Sequence, residues 1–102
     1  MARGGDAAAR GAIGAILSAM KIVYGSHALD TLTERGIERA WVERTLAAPE
    51  SVEPDPVHPD RMRAFRTVPE RDGRVLRVVY VPIPGGARVV TMFLDRGRRR
   101  KA

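Results

Sequence analysis

Between Asp72 and Leu94 the chain holds two apolar, β-branched runs set apart by turn signals, and no other stretch constrains the fold as strongly. Asp72-Gly73 marks a tight turn, Val75–Val81 is the clearest strand, Pro84-Gly85-Gly86 turns the chain again, and Arg88–Leu94 is the last strand. Two such runs joined by a short turn form an antiparallel hairpin. A hairpin alone is marginal in water and needs another layer against one face. Pairing Val81 with Val89 would put Arg77 opposite Phe93 and diagonal to Thr91. A one-residue slip would turn Thr91 to the other face.

The upstream sequence supplies that layer. Lys21–Tyr24 is a short β-branched run stopped by Gly25, and predicts an edge strand. Ser26 is a suitable N-cap for a helix over His27–Arg35, with Gly36 ending it. A second helix is expected from Ile37 to Ala48, with Trp41, Val42, Thr45 and Leu46 on its apolar stripe and Pro49 stopping it. Residues 49–60 hold four prolines and four acids, which predicts a stiff polar connection. Arg61–Val68 is a further strand. The expected order is β-α-α-β-β-β, an α+β fold with a mainly antiparallel sheet and two helices packed on one face.

The 102 residues suit one domain, expected over residues 20–95. Residues 1–19 are Ala/Gly-rich, and their apolar stretch is broken by Gly11 and Gly14. That pattern argues against a signal peptide and for a frayed extension or a mis-annotated start. Residues 96–102 form a basic tail. No apolar run approaches the ~20 residues that span a bilayer. The absence of cysteine excludes a disulfide framework and a Cys-type zinc site, and fits a cytoplasmic setting.

The net charge of +6 is unevenly spread: residues 73–102 carry net +7, residues 50–72 net −2, and the segment between 20 and 49 is neutral. Such asymmetry points to a polyanion partner, set against the plainer reading of a solvated tail.

His27 stands at a helix start, where unpaired N–H groups favour a bound anion and a neutral imidazole. It could act as general base or acid, or simply hydrogen-bond across the helix start. His58 lies among prolines and is read as a loop residue. Two histidines at no ligand spacing give no metal site, and no cofactor motif is present. Arg77 interrupts an apolar strand, so it either faces a phosphate or lies on a sheet face exposed to water. Arg61, Arg63 and Arg66 could line a nucleic-acid groove or pair with Asp55, Asp60 and Glu70. Arg74 and Arg88 flank the hairpin, and Arg98, Arg99 and Arg100 lie in the tail; all five are candidates for phosphate contact. Five aromatics, none in a basic run, disfavour a stacking platform.

The segment Ser26-His27-Ala28, then Glu34-Arg35-Gly36-Ile37, then Trp41-Val42 to Leu46 and Pro49, with Val90-Thr91 in the last strand, resembles the small bacterial family called domain of unknown function 4258. The resemblance covers residues 20–95. That family is similar in layout to toxins of the RelE, ParE and BrnT type, many of them metal-independent ribonucleases encoded beside an antitoxin. The resemblance implies His27, Arg35, Arg77 and Thr91 as catalytic positions. It would also place an Arg where this chain has Thr31. RNA is then the expected partner, with an antitoxin protein or a second copy of the chain as further partners and no role for a membrane. A non-catalytic nucleic-acid-binding module and a protein that docks a partner chain are the competing readings.

Overall fold

The structure is a computed structural model, and it describes residues 20–98. Its elements run β1 (Lys21–Tyr24), α1 (Ser26–Arg35), α2 (Arg39–Ala47), β2 (Ser51–Pro54), β3 (Met62–Val68), β4 (Arg74–Ile83) and β5 (Gly86–Asp95), with short 3-10 turns at Pro69–Arg71 and Arg96–Arg98. The five strands form one sheet in the order β1-β5-β4-β3-β2. All neighbours are antiparallel except β1, which runs parallel to β5. The expected α+β architecture is present, with one strand more than the sequence suggested.

That strand is β2. Residues 49–60 were expected to be a polar connection, yet Ser51–Pro54 pairs with Met62–Phe65. An edge position makes this compatible with proline, since one side of an edge strand needs no donors. Asp55 then turns the chain, its carboxylate accepting from the N–H groups of Val57 and His58 at 2.8 and 2.9 Å.

The first helix begins one residue earlier than expected. Gly25 is the N-cap, Ser26 is already helical, and no side chain caps the helix start. Its end is a Schellman turn. Gly36 adopts φ 62°, its N–H reaches Thr33, and the N–H of Ile37 reaches Leu32 at 2.9 Å. The second helix spans nine residues and is shorter at both ends than the expected Ile37–Ala48.

Ala28, Leu32, Ile37, Trp41 and Val42 from the helical layer bury themselves against Val68, Leu76, Val78, Val89 and Met92 of the sheet. Burial of this apolar surface is the main stabilising term, worth about 1.5–3 kcal/mol for each large side chain. Among the described residues no helix is long and apolar enough to cross a membrane.

The last hairpin departs from regular pairing at one point. Arg77 faces Phe93 and Val79 faces Thr91, as the expected register has it, but Tyr80 faces Val89 and Val81 faces Arg88. Val90 is the extra residue of a β-bulge. Without it Arg88 would sit on the helical side. With it, Arg88 shares the open face with Val81, while Ala87 and Val89 stay buried beneath the helices.

Candidate functional site

The open face of the sheet carries three of the expected phosphate-binding arginines, and each has an internal partner. Arg77 donates to Asp95 and lies over the rings of Phe65 and Phe93, 5.5 and 4.7 Å from their centroids. Arg98 lies 3.7 Å from the Phe65 centroid, and its Nη2 donates to both oxygens of Glu53. Arg63 pairs with Asp55 at 3.4 Å and approaches Glu53 at 3.8 Å. Three guanidinium groups are thus balanced by three carboxylates, and aromatic rings lie beneath two of them, Arg77 and Arg98. Cation–π contact and ion pairing hold this face together. Arg98 belongs to the folded unit rather than to a tail. Arg99 and Arg100 lie outside the described residues, as does the 1–19 extension.

Arg66 is engaged elsewhere, donating to the Ala48 carbonyl at 2.7 Å at the end of α2. Glu70, one of its expected partners, instead takes a two-point contact from Arg44, with N–O distances of 3.2 and 2.9 Å. His58 is exposed in the loop beside Asp55, 3.5 Å from its carboxylate.

Two clefts lined by arginine lie among the described residues, one at each end of α1. The first, about 340 Å³, is lined by Ser26, His27, Asp60, Arg61 and Arg88, with Val81 and Val89 among its apolar walls. The hydrogen bond from Leu29 N–H to the Gly25 carbonyl is the first of the helix. The N–H groups of Ser26, His27 and Ala28 therefore lack intrahelical acceptors, and no cap covers them. They point the positive end of the helix dipole into the same cleft. Arg61 adds a buried Nε without a hydrogen-bond partner. Arg88 and Val81 reach the cleft from the open face of the sheet.

Thr31, which stands where the family resemblance would place an Arg, lies beneath His27. Its hydroxyl donates to the His27 carbonyl at 2.8 Å, and its oxygen stands 3.5 Å from His27 Nε2. With the hydroxyl proton committed, that oxygen can only accept from the ring. The contact favours the tautomer with its proton on Nε2.

The second cleft, about 250 Å³, is lined by Arg35, Arg71, Arg74 and Arg96, floored by Ile37, Phe93 and Leu94. Arg35 and His27 are thus at opposite ends of one helix, about 12 Å apart at a rise of ~1.5 Å per residue. Thr91 is half-buried on β5 between the two clefts. The structure therefore does not gather His27, Arg35, Arg77 and Thr91 at one point. His27 keeps the company of Asp60, Arg61 and Arg88 instead. Asp60 is the group that sequence reasoning passed over, because a carboxylate beside Arg61 reads as an ordinary ion-pair partner. Among the described residues no group of three or more His, Asp or Glu is placed to hold a metal ion.

Residues 24–93 match the family model described as Domain of unknown function (DUF4258). No curated protein and no solved structure matches the chain.

Proposed function

The chain belongs to this domain of unknown function 4258 family, and we propose that it is a toxin-like, metal-independent endoribonuclease whose reacting centre is the cleft at the start of α1. The observation that carries this reading is the meeting of His27 and Asp60 with Arg61, Arg88 and three uncapped helix N–H groups around one cleft.

RNA supplies its own nucleophile, the 2′-hydroxyl next to each phosphate. Cleavage needs an acceptor for the 2′-proton, a donor for the departing 5′-oxygen, and positive charge around the phosphorane. In this reading Asp60 accepts the 2′-proton. His27 returns a proton from Nδ1 to the 5′-oxygen, leaving a 2′,3′-cyclic phosphate and a 5′-hydroxyl. In this step His27 enters as imidazolium and leaves as the Nε2–H tautomer. Arg61, Arg88 and the N–H groups of Ser26, His27 and Ala28 hold the phosphorane oxygens. His27 thereby becomes the acid rather than the base, because Asp60 fills the other role. The expected similarity in layout to RelE- and BrnT-type toxins supports a cytoplasmic setting and an antitoxin as partner.

The test is the chemistry of the ends. Single-stranded RNA incubated with the purified protein in chelator should yield 2′,3′-cyclic phosphate ends, and a 2′-deoxy substitution at the cleaved nucleotide should block the reaction. Salt-sensitive binding with no new ends would leave a nucleic-acid-binding module and remove the enzyme reading.

A further inference from the structure

We infer that the cleft at the far end of α1 is a second, separate phosphate-binding site, built by Arg35, Arg71, Arg74 and Arg96. Among the described residues four guanidinium groups line it and no carboxylate does. Two of them are positioned by backbone rather than neutralised. Arg35 donates to the Met92 carbonyl at 2.9 Å, and Arg71 donates to the Gly36 carbonyl at 3.3 Å. Each carbonyl engages one nitrogen of a group that carries five donors, so the rest of the fork remains for a ligand. Arg74 contributes a buried Nε with no hydrogen-bond partner. An unpaired buried donor of this kind is costly unless something completes it, and an anion would do so.

The place would otherwise repel an anion, since a helix C-terminus is the negative end of the dipole. The Schellman turn answers this. The Leu32 and Thr33 carbonyls are taken by the N–H groups of Ile37 and Gly36, and the Gly36 carbonyl is taken by Arg71. The four cations are thereby left to set the local field. Guanidinium forks match carboxylate and phosphate alike, and four of them at one cleft suit the multiply charged oxyanion, so the ligand is assigned as a phosphate.

The strand β5 joins the two clefts. Arg88, Val89 and Val90 line the first, and Phe93 and Leu94 line the second. The span from Val90 to Phe93 is about 10 Å at ~3.4 Å per residue. A single RNA strand reacting at His27 would lay a later phosphate in the four-arginine cleft. That the phosphate belongs to RNA rests on the ribonuclease reading; that the cleft takes phosphate does not.

The experiment uses the full chain, the Arg71→Gln/Arg96→Gln double variant and His27→Ala. Inorganic phosphate is titrated while the arginine side-chain NMR signals are followed. A short, uncleavable 2′-O-methyl oligoribonucleotide is titrated by fluorescence anisotropy. Phosphate should shift Arg35 and Arg74 in the wild type and His27→Ala but not in the double variant. The double variant should bind the oligonucleotide about tenfold more weakly, with a log–log salt slope shallower by about 1.4 for two lost contacts. Lost oligonucleotide affinity without a response to inorganic phosphate still supports the site, with RNA as its ligand. Phosphate binding with unchanged oligonucleotide affinity supports the site and assigns it to free phosphate or a phosphomonoester. No response to phosphate, together with unchanged oligonucleotide affinity, overturns the inference. Loss of cleavage in His27→Ala is read separately and bears only on the reacting centre.

Discussion

Arg77 reaches diagonally across the β4–β5 ladder to Asp95, placing Nη2 2.6 Å and Nε 3.1 Å from one carboxylate oxygen. The other oxygen accepts from the Gly97 N–H at 2.9 Å. The arginine that breaks the apolar pattern of its strand is therefore satisfied within the fold.

Replacing one partner leaves the other charge largely buried and unpaired, with side-chain exposures of 20% for Arg77 and 10% for Asp95. Asp95→Ala and Arg77→Ala should each cost roughly 2–3 kcal/mol of stability, less than a fully buried pair because water still reaches Arg77. Urea unfolding checks this, and a double-mutant cycle should show strong coupling between the two sites. Effects on RNA cleavage should follow stability alone.

Stability should fall as the solution is acidified below about pH 4. Burial acts to raise the Asp95 pKa, but hydrogen bonds from Arg77 and Gly97 and the charges of Arg77 and Arg98 prevail and lower it. Asp55 is lowered to about 2 by the N–H groups of His58 and Val57, with Arg63 beside it. A carboxylate with a depressed folded pKa stabilises the protein above its unfolded value, near 4, and loses that contribution as pH falls through the folded value. Chemical unfolding at pH 5, 3 and 2 should show this decline, and Asp55→Asn should make it shallower.

Gly86 begins β5 against β1, and a Cβ there would overlap the Lys21 backbone carbonyl oxygen. Gly86→Ala should push β1 off the sheet at a cost of about 1–3 kcal/mol. Because β1 runs through Gly25 into His27, hydrogen exchange should rise over Lys21–Ala28, and the chemistry of the first cleft should fail with it.

Thr31→Val keeps the shape of the side chain and removes the hydroxyl. Melting should change little, by about 1 kcal/mol for a single hydrogen bond. The ring ¹⁵N shifts of His27 should move away from the Nε2–H pattern expected of the wild type. Unchanged shifts would mean that the 3.5 Å contact does not set the tautomer.

Much of this architecture was legible because it depends on local signals. Pro84 and Gly85 turn the last hairpin, with Gly85 at φ 76°, and Asp72 and Gly73 turn the one before it, both at positive φ. Arg35-Gly36-Ile37 announced the Schellman turn that ends α1. What was hidden depends on register and on long-range pairing. The bulge at Val90 lies in an unbroken β-branched run, and nothing local marks where an extra residue will sit. It alone decides that Arg88 shares the open face with Val81. Strand β2 was hidden by its own proline and glutamate, which an edge strand tolerates. The partner of Arg77 lay at the last residue of β5, one position past the expected end of that strand. The arginines expected at phosphate were sound candidates by type, but only folding shows which carboxylates reach them.

The central claim is that the His27 cleft cleaves RNA. Its most direct test is the initial rate of RNA cleavage in chelator by wild type and His27→Ala, with thermal melting of both. His27 is exposed, so melting should be unchanged, and the rate should drop about 10²–10⁴-fold on loss of the proton donor. Equal rates for the two proteins, or no cleavage by wild type, would contradict the account.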